Sequence, residues 1–84
     1  MLHQNVPNPF NSTTTIKVEL HKACNIELDV LDMHGKKVLT LAKAYFEKDI
    51  HTFVVSLNEF TKGMYFYSLK VNDVIIDTKK MIIQ

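Results

Sequence analysis

Pro7 and Pro9 flank Asn8, and Phe10 and Asn11 come directly after. No other stretch restricts the fold as tightly. Each proline fixes φ near about −65° and donates no N–H. Val6 and Asn8 each precede a proline and are pushed toward extended conformations. The expectation is a stiff, extended leader over residues 1–11, excluded from any helix or central strand. Phe10 is the group to bury, a plug at the lip of a β domain. Asn11, Ser12 and Thr13 can bond to nearby backbone and turn the chain out of the leader.

Behind the leader the chain reads as strands. Thr14–Leu20 alternates, with Ile16, Val18 and Leu20 on one face and Thr15, Lys17 and Glu19 on the other. That is the signature of a half-buried strand. His21–Asn25 reads as a turn. Ile26–Leu31 alternates again, placing Glu27 and Asp29 on an outer, solvated face. Asp32-Met33-His34-Gly35 is a hairpin signal, with Gly35 free to take positive φ at a bulge. Lys36–Leu41 returns with Val38 and Leu41 packed. Ala42–Asp49 has the weakest pattern: a helical stripe competes, and a strand with an irregular connection is preferred.

Ile50–Leu57 turns Phe53, Val55 and Leu57 to one side. Asn58–Lys62 is a loop that drops Phe60 inward. Gly63 then resets the chain, and positive φ is expected there. Met64–Val71 is the strongest strand, with Tyr65, Tyr67, Leu69 and Val71 sharing a face. Asn72-Asp73 fits a two-residue hairpin. Val74–Ile83 returns with a break in phase that a bulge around Asp77–Lys79 would reconcile. About seven short strands at this spacing point to an all-β fold, a seven-stranded immunoglobulin-like β-sandwich forming a single domain over residues 1–84.

Composition narrows the function. The formal net charge is +1 and every basic residue is lysine. Without arginine forks or a basic excess, nucleic acid is not an expected partner. No apolar run approaches the ~18 residues that span a membrane. Met1-Leu2-His3-Gln4 lacks the regions of a signal peptide, so Met1 reads as a start placed before a fragment of a larger protein. One cysteine, Cys24, forms no internal disulfide.

Candidate chemistry is thin. His3, His21, His34, His51 and Cys24 offer no second ligand pair to make a structural metal site, and four solvent-facing imidazoles are the plainer reading. Cys24 with His21 could outline a small hydrolase, against the simpler reading of a partly buried thiol. Asn11-Ser12-Thr13 matches a glycosylation sequon that chance also supplies. Tyr65, Phe66 and Tyr67 could stack a ligand such as a polysaccharide, although an aromatic strand is more often core. Lys79-Lys80 is either an edge guard or a docking feature.

Several pieces together carry a resemblance. Leu2–Asn11 followed by Thr14-Thr15-Ile16, Asp32–Val38 around Gly35, the run Phe60–Tyr67 holding Gly63 and Tyr65, and Lys79-Lys80-Met81 occur in order. The chain resembles the type A C-terminal sorting domains of the type IX (Por) secretion system of Bacteroidetes. The family usually has a glycine before the strand near His51. Here Glu47-Lys48-Asp49-Ile50 stands instead, so no tight turn is expected there.

The resemblance implies a domain at the C-terminus of a secreted cargo, exported through the periplasm and outer membrane. An outer-membrane translocon recognises it and a surface sortase removes it. It implies no catalysis and no cofactor. Pro7, Asn8, Pro9, Phe10, Asn11, Gly35, Gly63, Tyr65, Lys79, Lys80 and Met81 are its motif and candidate recognition residues. Lys79–Gln84 is expected to be both the closing strand and an element the export machinery needs.

Overall fold

A computed structural model describes residues 1–56 and 60–84. The alternating segments all form strands: β1 (Thr13–Leu20), β2 (Cys24–Leu31), β3 (Lys37–Phe46), β4 (Asp49–Ser56), β5 (Gly63–Val71) and β6 (Val74–Ile83). There is no helix among the described residues. Two sheets result, β1-β4 and β3-β2-β5-β6, and every strand pairing is antiparallel. Their inner faces share one core, to which β1 gives Ile16 and Val18, β2 gives Leu28 and Val30, and β5 gives Tyr67 and Leu69.

Six strands form among the described residues, where the sequence predicts about seven. β3 runs through the stretch that looked like a separate strand, because it carries extra residues at Val38 and Leu41, where its register against β2 shifts. A bulge changes the phase of a strand without ending it. For the same reason Val38, expected in the core, is 42% exposed, while Leu39 and Leu41 are half-buried. The link to β4 is also tighter than expected: only Glu47 and Lys48 separate the end of β3 from the start of β4.

The turns follow their chemistry. Asn72 (φ 49°) and Asp73 (φ 69°) make the two-residue β5–β6 hairpin. Gly35 (φ 83°) and Gly63 (φ 144°) both take conformations that suit glycine. The Asp32 carboxylate accepts from the N–H groups of His34 and Lys36, each at 2.9 Å, and so shapes the β2–β3 turn. The β6 bulge lies at Ile76, where register slips from Leu69–Asp77 to Lys70–Ile75, slightly ahead of the expected position. Leu57, Asn58 and Glu59, placed at a strand end and in a loop by the sequence, lie outside the described residues.

Candidate functional site

The leader is not a free extended arm. Leu2 and Val6 bridge β1 antiparallel, opposite Val18 and Thr15. The chain then bends through Pro7–Pro9, with both Val6-Pro7 and Asn8-Pro9 bonds cis, and Phe10 bridges Ile83 in parallel. It must bend, because it leaves one sheet and joins the other. Phe10 donates its N–H to Ile82 O at 3.0 Å and accepts from Gln84 N–H at 2.8 Å. Asn8 Oδ1 accepts from Ile82 N–H at 2.9 Å, and Gln4 Nε2 donates to Lys80 O at 2.6 Å. The leader thus covers the outer edge of β6 from Lys80 to Gln84. Phe10 fills the core as a plug, 2% exposed.

A buried polar knot holds the leader down. The Tyr67 hydroxyl accepts from Asn5 N–H and donates to His3 O, each at 2.7 Å. Asn5 Nδ2 donates to Thr14 Oγ1 at 3.0 Å, and that hydroxyl donates to Pro7 O at 2.8 Å. Burial pushes the Tyr67 phenol up to about 12, so it stays a donor. Leu2, Asn5 and Thr14 are all buried. Periodicity reaches Thr14, which is in phase with Ile16 and Val18 in β1, but not Leu2 or Asn5, because the leader's isolated bridges leave no alternating pattern.

The four motif pieces meet at one pole of the molecule. Gly63, Met64 and Tyr65 pair with Ile83, Ile82 and Met81. The β2–β3 turn reaches the same place, where Asp32, Met33 and His34 face Thr61, Lys62, Gly63 and Tyr65 across a shallow depression. Tyr65 donates its hydroxyl to Thr61 O at 2.8 Å, and its ring lies 5.2 Å from Phe60. The lysine pair does not act as one patch. Successive strand residues point to opposite faces. Lys80 stands exposed on the outer face opposite Phe66, whereas Lys79 is half-buried and 3.7 Å from Asp77.

A family profile described as the secretion system C-terminal sorting domain matches residues 6–84, nearly the whole chain. The chain belongs to this family. No curated protein and no solved structure matches it. The sorting domain is a C-terminal signal for the type IX secretion system, and it specifies export through the periplasm and outer membrane to the cell surface or beyond. Its family is a sorting signal, not an enzyme family.

Elsewhere the sorting domain departs from expectation at its charged residues. Glu27 and Asp29 do lie on the outer face of β2, but they are buried, because β2 is an inner strand and its neighbours lean over them. Lys37 Nζ sits 2.8 Å from Glu27 and 3.7 Å from Asp29, with Lys43 and Lys70 within 4.0 Å of Glu27. Thr40 donates to Asp29 at 2.8 Å. The Lys37 ammonium holds the Glu27 carboxyl down at about 2, while burial and the hydrogen bond with Glu27 push Asp29 up. The pair is a structural knot, not a solvated surface.

Two histidines also find partners: His3 lies 3.3 Å from Glu19, and His51 stacks edge-on to Phe46 while its Nε2 reaches Glu47 O at 2.8 Å. His21 and His34 are exposed. Cys24 is buried, and no hydrogen bond joins it to His21 among the described residues. No cluster of three metal-ligating side chains occurs among the described residues. Tyr65 and Tyr67 are both buried, which removes the stacking platform that a polysaccharide-binding reading needs.

No described helix is long and apolar enough to cross a membrane.

Proposed function

We propose that the pole where the leader clamps β6 is the surface that the type IX machinery reads, on an immunoglobulin-like sandwich carried behind an N-terminal cargo. The translocon engages it and the surface sortase severs it from the cargo, with the domain itself doing no catalysis. The observation that carries this reading is the convergence of motif pieces up to 76 residues apart in sequence, joined by the Gln4–Lys80 and Asn8–Ile82 hydrogen bonds.

The motif divides into two groups. Phe10, Tyr65 and Met81 are buried, and Gly35 and Gly63 set turn geometry, so these five shape the pole. Pro7, Asn8, Pro9, Asn11 and Lys80 are exposed and offer themselves to a receptor. Lys79, tied to Asp77, belongs with the first group.

The test is a fusion of residues 1–84 to a periplasm-directed reporter in a host with a type IX system. Lys80→Ala should melt normally and fail to reach the surface, since exposed substitutions usually change stability by under about 0.5 kcal/mol. Lys79→Ala should be exported. Normal export of the Lys79→Ala/Lys80→Ala form would remove the lysines from recognition. Retention of the unmodified fusion in the periplasm, beside a working sorting domain, would undo the reading.

A further inference from the structure

The edges of the two sheets are not equally protected. The leader covers β6 from Lys80 onward, and the rest of that edge is broken by the bulge at Ile76. β3 is broken twice, at Val38 and Leu41, and carries Lys37 and Lys43. These are the devices by which natural sheets discourage edge pairing. β4 has none of them. It pairs with β1 in unbroken register from Asp49 to Ser56, contains no lysine, proline or glycine, and has no second ladder partner among the described residues.

Which of its backbone groups are free is set by the leader. Thr15, Lys17 and Glu19 exchange hydrogen bonds with the leader, so they face away from β4. Antiparallel ladders alternate. Thr14, Ile16, Val18 and Leu20 therefore bond to Val55, Phe53, His51 and Asp49. The N–H and C=O groups of Ile50, Thr52, Val54 and Ser56 point to the open edge. Among the described residues, only the Ile50 N–H is answered locally, by its neighbour Asp49 at 2.7 Å. Beside this row Ile50 is 53% and Val54 63% exposed, and Phe53 is half-buried against Phe46.

We propose that β4 pairs antiparallel with β4 of a second copy of this chain, about a two-fold axis through Phe53. The strand is complementary to itself in that register. Ile50 then lies opposite Ser56 and Thr52 opposite Val54 of the second copy, so all four residues with free backbone groups meet one another. On the inner face Phe53 meets its counterpart, an aromatic cross-strand pair, and on the outer face Thr52 and Val54 form a β-branched one. No carboxylate or lysine falls between Ile50 and Ser56, so no like charges oppose across the pair. The two short sheets become one. Such an interface is small and its complex weak and reversible. It stands apart from the export reading, since β4 carries none of the motif residues.

Sedimentation velocity on the 84-residue chain tests it. The expected result is a monomer–dimer equilibrium with Kd between ~10 μM and ~1 mM. Val54→Lys places an edge guard on the exposed face and should weaken dimerisation at least ~tenfold with unchanged melting. Thr52→Pro removes an outward N–H that the ladder to β1 does not use, and should do the same. If Thr52→Pro lowers the melting temperature, Val54→Lys alone decides. A chain that stays monomeric at ~1 mM overturns the proposal, and so does a dimer that Val54→Lys leaves intact. Binding of a foreign extended peptide without self-association also overturns it.

Discussion

Glu27 and Asp29 are two residues apart on one face, share Lys37, and respond to acid in opposite directions. Glu27 falls from 4.5 to about 2 in the fold, so its contribution to stability is full above pH 4.5 and fades as the pH drops toward 2. Asp29 is raised, so its protonation on acidification favours the fold and offsets part of that loss. Thermal melts across this range should therefore show Glu27→Gln less stable at neutral pH, with a flatter acid limb. Asp29→Asn, which keeps the oxygen that Thr40 donates to, should be neutral or stabilising there. Phe10 and Tyr67 give simpler expectations. Phe10→Ala should cost roughly 3–5 kcal/mol in urea unfolding, the usual cost of emptying a fully buried aromatic site. Tyr67→Phe should cost about 1–3 kcal/mol, because Asn5 N–H and His3 C=O lose the hydroxyl that answers both.

Among the elements, strands with one clean period are readable from the residues alone. β1 alternates without interruption, and Ile16, Val18 and Leu20 of β1, like Tyr65, Tyr67 and Leu69 of β5, turn inward as the sequence indicates. The turn at Asn72-Asp73 and the glycines at 35 and 63 are equally legible, because positive φ restricts residue type. Three features are not. β3 changes phase twice, so its alternation imitates two segments. The burial of Glu27 and Asp29 depends on β2 being an inner strand, which is a property of strand order and not of β2's own residues. The leader's bridges use single residues, and Leu2 and Asn5 have no periodic neighbours to betray them. Of the candidate site, the motif pieces are legible but their meeting is not, since it depends on pairings across the length of the chain. The glycines supply a prediction on this scale. A Cβ at Gly63 or Gly35 meets nothing within 4 Å, so Ala costs only backbone strain. Each substitution should lower stability by about 1–2 kcal/mol without disturbing the core, measurable as a shift in urea midpoint at constant slope.

At the scale of the whole molecule, the leader bridges strands of both sheets. The family match begins at Val6, yet Leu2 and Asn5 ahead of it are buried, and Asn5 is hydrogen-bonded to Tyr67. A chain lacking residues 1–5 keeps the matched region but loses the Leu2 side chain and the partner of Tyr67. It should unfold with a stability loss of about 3 kcal/mol or more in urea titration. The clamp also ties the order of folding to the order of synthesis. The contacts that complete it join residues 74 and 76 positions apart, so loop closure across nearly the full length must precede them. A chain emerging from the ribosome, or threading a membrane from its first residue, cannot assemble the leader–β6 clamp until Lys80–Gln84 has come through. The finished pole is then a proof of length: a message cut short, or a tail lost to a protease, leaves Asn8 and Phe10 with no edge to grip.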